Sequence, residues 1–435
     1  MPQLTIRLNQ PASNISIAAI LSRSSLDSHS GMSTQHETGD GHRAALLAGF
    51  LGWMFVAFDF FLVVVSLTTI AKEFHRTDKE IALSLALTLG FRPVGAFIFG
   101  LLADGYGRRL PLMLNLVYYS IIEILSGLAP NYGSFMVFRA LFGIGMGAQW
   151  GIGASLTMEK VPPRWRGVLS GLLQEGYATG YLLAALCALF VLPQWGWRPL
   201  FFIGSLPALL ALFVWYKVKE SAVWEKTRHE SWPQLFRGIA SHWRLFAYLI
   251  VLMTLMNFVS HGTQDMYPTF LERYWGFGST QRLLITVISM VGAIVGGIAF
   301  GLLSDRIGRR YSMMIALGCA VLVVPLWAFA PALSWLIVGA FLMQFMVQGA
   351  WGIIPAHLSE LSSDSVRGFL PGFAYQVGVL LAGSVAYLEA LFAEHMSYST
   401  AMAMTAATVF ILSGIATAVG REKRGIKFGE VEIGE

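Results

Sequence analysis

Phe99-Gly100-Leu101-Leu102-Ala103-Asp104-Gly105-Tyr106-Gly107-Arg108-Arg109 returns 201 positions later as Phe300-Gly301-Leu302-Leu303-Ser304-Asp305-Arg306-Ile307-Gly308-Arg309-Arg310. The offset then holds without a gap. Trp150-Gly151 maps on Trp351-Gly352, Glu159 on Glu360, Arg166-Gly167 on Arg367-Gly368, and Gly171 on Gly372. A register kept over this length marks an internal duplication. Two copies of one unit put the expected substrate site at the seam between them.

The chain around the repeats is apolar. Of its 435 residues, 55% are hydrophobic and 13% charged, roughly half the charged share of a soluble domain. Apolar runs of about 18 to 25 residues recur along nearly all of it, each long enough to cross a bilayer as a helix. Helices are expected over 44–71, 81–103, 110–129, 134–158, 166–192 and 198–217, then over 244–271, 282–303, 311–329, 333–358, 367–393 and 398–420. The fold class is therefore an all-α membrane protein of twelve transmembrane helices in two six-helix halves, 44–217 and 244–420. Residues 1–43 are expected to be a disordered cytoplasmic tail, 218–243 a cytoplasmic linker and 421–435 a second cytoplasmic tail. The apolar patch Ile15–Leu21 is too short to span and lacks a cleavage site. A translation start at Met32 is an alternative to that long tail.

Charge gives orientation. Lysine and arginine gather in the loops after the second, fourth, sixth, eighth and tenth helices and in the C-terminal tail. The positive-inside rule then puts both termini in the cytoplasm of a multi-pass protein of the cytoplasmic membrane. The net charge of +5 follows from this asymmetry and does not call for nucleic acid. Cys187 and Cys319 fall inside spans of different halves, so neither a disulfide nor a metal site is expected. No Gly-x-x-x-x-Gly-Lys segment for ATP and no nucleophile–base set for an enzyme is present. What remains is a secondary transporter, expected to be monomeric and without cofactor. A ligand sensor that does not transport is the rival from another class.

The repeated Gly-x-Leu-x-Asp-x-x-Gly-Arg-Arg element resembles the signature loop of the major facilitator superfamily. Gly105 departs from the pattern, where the family usually has arginine; Arg306 conforms. Arg139-x-x-x-Gly143-x-x-x-Gly147 resembles another superfamily element. A narrower resemblance lies on the seventh helix. Asn257-x-x-Ser260-His261-x-Thr263-Gln264-Asp265-x-x-x-Thr269 is similar to the signature of carboxylate/proton symporters in the sialate/proton symporter family. Phe91-Arg92-Pro93-Val94-Gly95-Ala96 and Gly145-Met146-Gly147-Ala148-Gln149-Trp150-Gly151 resemble further segments of that family. The resemblance spans residues 44 to 420. It implies the major facilitator fold and proton-coupled symport of a small monocarboxylate of the lactate or pyruvate class. Sialic acid and aromatic acids are the alternatives.

Helical geometry sharpens the site. At about 100° per residue, positions 257, 261, 265 and 269 drift by only about 40° per step, and Ser260 and Gln264 share their sector. A polar stripe in lipid has to face protein or water. For Asn257, Ser260 and Gln264, ordinary interhelical hydrogen bonding is as good an explanation as substrate binding. His261 and Asp265 are harder to explain that way, since a mid-membrane aspartate costs about 3 kcal/mol. One turn apart, they can share a proton. Arg92 offers a fork of donors matched to a carboxylate; the bland alternative is an ion pair with Asp59 or Glu123. Asp59 is a candidate counter-ion or second coupling carboxylate. Arg139 takes part in proton coupling, or snorkels to the nearby surface. Gln149 and Gln376, with Glu175 and His357, are candidate cavity residues, as are the aromatics Trp53, Trp150, Tyr177, Trp351 and Tyr375. Glu389 is expected to be solvated. Asp104, Arg108, Glu159 and Arg166, and likewise Asp305, Arg309, Glu360 and Arg367, are expected to form one gating lattice within each half.

Overall fold

A computed structural model describes residues 17–228, 231–265, 267–393 and 395–429. The first half runs through α1 Ile17–Glu73, α2 Asp78–Tyr106, α3 Arg109–Gly127, α4 Tyr132–Lys160, α5 Arg166–Gln174, α6 Gly176–Trp195, α7 Arg198–Ile203 and α8 Pro207–Lys217. Two short helices, α9 Ala222–Thr227 and α10 Trp232–Ser241, form the connection. The second half runs through α11 Trp243–Gln264, α12 Tyr267–Arg273, α13 Ser279–Ile307, α14 Arg309–Ala328, α15 Leu333–Trp351, α16 Ile354–Leu361, α17 Leu370–Ala382, α18 Val385–Ala393 and α19 Tyr398–Val419. Among the described residues, eleven stretches are long and apolar enough to cross a membrane. The eleventh of the twelve expected helices is divided into α17 and α18. The break falls at Gly383-Ser384, two residues that favour turns over helix interiors.

The seventh span is also interrupted. Pro268 carries no N–H for the Gln264 carbonyl one turn back, and its ring crowds that carbonyl. The helix α11 therefore ends at Gln264, and α12 is described from Tyr267. At the N-terminus the difference runs the other way. The helix that was expected from residue 44 extends back to Ile17, over part of the predicted tail. No proline occurs between residues 12 and 92 to stop it. Residues 1–16 and 430–435, the remainder of the two predicted tails, lie outside the described residues.

Glycine fixes how the helices meet. A Cβ on Gly95 would fall 1.7 Å from the Ile144 carbonyl oxygen, and one on Gly147 would fall 1.9 Å from that of Arg92. The backbones of α2 and α4 are in contact, as small residues allow in membranes. The same contact recurs 201 positions on, where a Cβ on Gly296 would meet the Phe345 carbonyl at 2.0 Å. Contact with α4 fixes α2 at Arg92, at the wall between the halves.

Candidate functional site

A cavity of about 420 Å³ lies between the two halves. Phe60, Phe61, Leu85, Arg92, Tyr177 and Tyr181 face it from the first half; the second half contributes Asn257, His261, Gln264, Asp265, Gln344 and Tyr375, among others. Leu85 and Thr286 come from the ends of α2 and α13 remote from the repeated loops. The cavity thus extends from mid-span away from those loops.

Arg92 is buried beneath this surface, with its guanidinium 5.4 Å from the Tyr375 ring centre. Its Nε and Nη2 have no hydrogen-bond partner. The alternative ion pairs are not made. Glu123 bonds Arg139 at 2.7 Å, and neither oxygen of Asp59 has a partner. Arg92 therefore presents an unsatisfied donor fork at the cavity wall, where a carboxylate would complete it.

On the second half, His261 Nδ1 lies 3.1 Å from Asp265 Oδ2 and 3.3 Å from Oδ1. Their side chains keep 27% and 42% of their surface exposed, so water reaches the pair from the cavity. Gln264 lines the cavity too, but its Nε2 donates to Gln344 Oε1 at 2.9 Å, and Gln344 in turn donates to Thr263 Oγ1. Asn257 faces the cavity while its Nδ2 donates to the Met253 carbonyl of its own helix.

Other expected residues stand elsewhere. Gln149 accepts from Asn115 Nδ2 at 2.9 Å, and Gln376 donates to the Gly147 carbonyl at 3.2 Å. Both are ties between helices, away from the cavity wall. Glu175 is buried behind Gly297, and His357 packs in α16 toward the repeated loops. Glu389 is not solvated. It is 1% exposed, with both oxygens unpartnered. Tyr177, Trp351 and Tyr375 line the cavity; Trp53 and Trp150 pack against Tyr177 and Tyr375.

Arg139 does not snorkel. It is buried, donates to Glu123 at 2.7 Å and Ser126 at 2.6 Å, and packs against the rings of Phe142 and Phe201. Asp59 is buried against Gly204. This cluster sits inside the first half, apart from the cavity.

The repeated loops form two lattices, and both cross the seam instead of staying within a half. Asp104 accepts from Arg108 at 2.5 Å in its own half, and from the backbone N–H groups of Gly368 and Phe369 at 2.8 and 2.9 Å in the other. Asp305 accepts from Arg309 at 2.7 Å and, across the seam, from Gly167 and Val168 N–H at 2.8 and 2.9 Å. Glu360 bonds Arg309 at 2.9 Å and Arg166 of the first half at 3.0 Å. Glu159 bonds Arg108 at 3.1 Å and lies 3.6 Å from Arg367 of the second half. The reason is the helix ends. The free N–H groups beginning the fifth and eleventh spans attract carboxylates, and the nearest belong to the opposite repeat. Glycines bring the halves close enough: a Cβ on Gly151 would lie 2.8 Å from Gly372 Cα, and one on Gly171 would lie 2.3 Å from the Gly297 carbonyl oxygen. This end is closed.

Residues 49–387 match the family model described as Major Facilitator Superfamily. The chain belongs to the major facilitator superfamily. It is a multi-pass membrane transporter and not an enzyme. A carboxylic acid transporter protein homolog of Saccharomyces cerevisiae is 31% identical over 86% of this chain and 67% of its own length. The sialic acid transporter NanX of Escherichia coli is 28% identical over 77% of this chain and 84% of its own. Among solved structures, the proton:xylose symporter XylE superposes with a TM-score of 0.75 at 18% identity, covering 90% of this chain and 98% of that one. That likeness speaks to the fold.

Sequence reasoning missed Gln344 and Gln348 as cavity residues and Glu123 as the partner of Arg139. A signal existed for the first two: glutamines four apart in the otherwise apolar α15 share one face. Glu123 had appeared only as an alternative partner for Arg92; its pairing with Arg139 depends on how α3 and α4 pack.

Proposed function

We propose that the chain carries a small monocarboxylate of the lactate or pyruvate class, together with one proton, across the cytoplasmic membrane by alternating access. The observation that carries this reading is the pairing of chemistries in one cavity. Arg92 offers a donor fork without a partner, and the hydrogen-bonded His261–Asp265 pair offers a place for a proton. An anion bound at Arg92 and a proton held by the pair cancel in charge. The pH gradient then drives the cycle, and voltage, worth about 2.3 kcal/mol per charge per 100 mV, does not. Asn257 and Gln264 help to hold the substrate.

Asp59 and Arg139 form the second proton-handling element. Asp59 is buried with neither oxygen partnered, and Arg139 pairs with Glu123. The carboxylates and arginines of the two seam lattices gate the cycle from the cytoplasmic side, where the basic loops lie. The chain works as a monomer. The names of its relatives support an acid as substrate.

One observation favours a larger acid as a second reading. Tyr177, Tyr181, Trp327, Trp351 and Tyr375 wall the cavity, and a three-carbon acid leaves most of that apolar surface uncovered. Sialic acid or an aromatic acid would use more of it. The discriminating experiment is uptake into proteoliposomes of labelled lactate, pyruvate, sialic acid and benzoate under a pH step. Lactate or pyruvate accumulation that an imposed voltage leaves unchanged is expected. Uptake of none of these acids, or an inward current with substrate, would end the one-to-one symport account.

A further inference from the structure

The segment after α19 turns back across the closed end of the seam. Glu422 Oε2 accepts from Arg310 N–H at 2.9 Å, tying the segment to the second repeated loop. Gly425 N–H donates to Glu360 at 3.3 Å, and the Ile426 carbonyl accepts from Arg166 of the first half at 3.0 Å. Gly429 N–H donates to Asp364 at 2.7 Å. Gly425 and Gly429 sit at φ of +79° and +78°, a backbone region that favours glycine. Between these turns, Phe428 enters the seam. Its ring centre lies 3.8 Å from the Arg166 guanidinium carbon and 3.7 Å from that of Arg367. One arginine belongs to each half. The ring also packs on a small apolar cluster of Met158, Val161 and Leu173 from the first half and Ala356 from the second.

Two guanidinium groups facing each other across a dry seam repel. A ring set between them offers each a negatively polarised π-face. Opening this end must part Arg166 from Arg367 and so withdraw the ring from at least one of them. We propose that residues 421–429 are a strap that holds this end of the transporter shut, with Phe428 as its key, and that the strap must lift before the cavity can open there. The proposal rests on the alternating-access reading and adds a control element to it.

Ser170 reports the opening. Its Oγ bonds the Gly352 carbonyl at 2.6 Å and the Ala356 N–H at 3.0 Å, both across the seam, so a cysteine there is reached only when the halves part. The test takes the full chain with Cys187 and Cys319 replaced by serine and Ser170→Cys as reporter. A membrane-impermeant methanethiosulfonate is applied from the side of the repeated loops. Phe428→Ala is expected to raise the labelling rate about tenfold, the scale of losing one desolvated cation–π contact. Gly429→Pro, which removes the N–H held by Asp364, moves it the same way, and Phe428→Tyr leaves it at the parent rate. Asp104→Asn with Asp305→Asn serves as the control that loosens the lattices themselves. If that control labels fast while Phe428→Ala and Gly429→Pro label at the parent rate, the strap is overturned and alternating access stands. If neither the control nor the strap variants label faster, the seam does not open at this end and both ideas fall. Fast labelling of Phe428→Tyr would also sink the ring's role, since it keeps the π-face.

Discussion

The closed seam and the cavity descend from the same duplication and have gone opposite ways. At the seam, residues 201 apart do the same work. Asp104 and Asp305 each accept two backbone N–H groups from the other half, at 2.8 and 2.9 Å in both cases. In the cavity, the same offset pairs unlike residues. His261 and Asp265 correspond to Phe60 and Val64, Arg92 to Ala293, and Gln344 and Gln348 to Gly143 and Gly147. Phe60, Val64, Gln344 and Gln348 all line the cavity, so the register survived while the chemistry diverged. Closing a seam between two like halves is a symmetric task. Under the proposed symport, holding one anion and one proton is not, because each needs a single best position.

That contrast can be broken, and the largest effect should come from its polar side. Asp265→Asn is expected to abolish pH-driven accumulation while ligand binding persists, whereas Val64→Asn at the matching position leaves accumulation in place. Equal losses, measured as uphill uptake in proteoliposomes, would mean the halves share the coupling role. Next, Arg92→Lys should raise the half-saturation concentration on the order of 10- to 100-fold, because a point charge replaces a bidentate bond worth about 1.5–3 kcal/mol. An unchanged value would remove Arg92 from substrate recognition. Gly151→Ala and Gly372→Ala test the symmetric side. A Cβ on either would lie 2.8 or 2.9 Å from the other's Cα, and such overpacking costs about 1–3 kcal/mol. Both should expose the Ser170→Cys reporter to a similar degree, and a response from one alone would show that the seam is not symmetric. Gln264→Leu should have the smallest effect. It removes one interhelical hydrogen bond of about 0.6–2 kcal/mol and one helper contact to substrate, and is expected to change uptake only a few-fold; complete loss of transport would make Gln264 an essential ligand instead of a helper.

Much of the fold was legible because lipid makes strict demands. Apolar runs of spanning length and the repeated Asp-x-x-Gly-Arg-Arg loops were enough for the two six-helix halves. The interruptions were less legible. Pro268 was visible, but membrane helices often absorb proline, so its position alone did not tell that α11 would stop at Gln264. The cavity stripe of His261, Gln264 and Asp265 was readable because it lies on one helix, where spacing sets direction. Arg92 was readable as a cavity group, but its lack of an ion pair was not, since that depends on Glu123 turning to Arg139. Gln149 and Gln376 are cavity candidates in sequence that prove to be ties, whereas Gln344 faces the cavity. Which of them faces the cavity depends on helix rotation, fixed by contacts between elements far apart in the chain. The crossing of the lattices was invisible for a related reason. A repeat suggests that each copy satisfies itself, and sequence does not reveal that the nearest free helix end belongs to the other copy.

Because Asp104 completes the start of the eleventh span and Asp305 the start of the fifth, each bundle is unfinished without its sibling. Severed inside the 218–243 connection and made as two polypeptides, the bundles would each carry a buried acid with no donors from the partner and a helix start with no acceptor. Reassembly in the bilayer satisfies both deficits at once. The swapped aspartates thus act as a built-in recognition code between the duplicates, tying correct pairing to the same contacts that the proposed cycle releases.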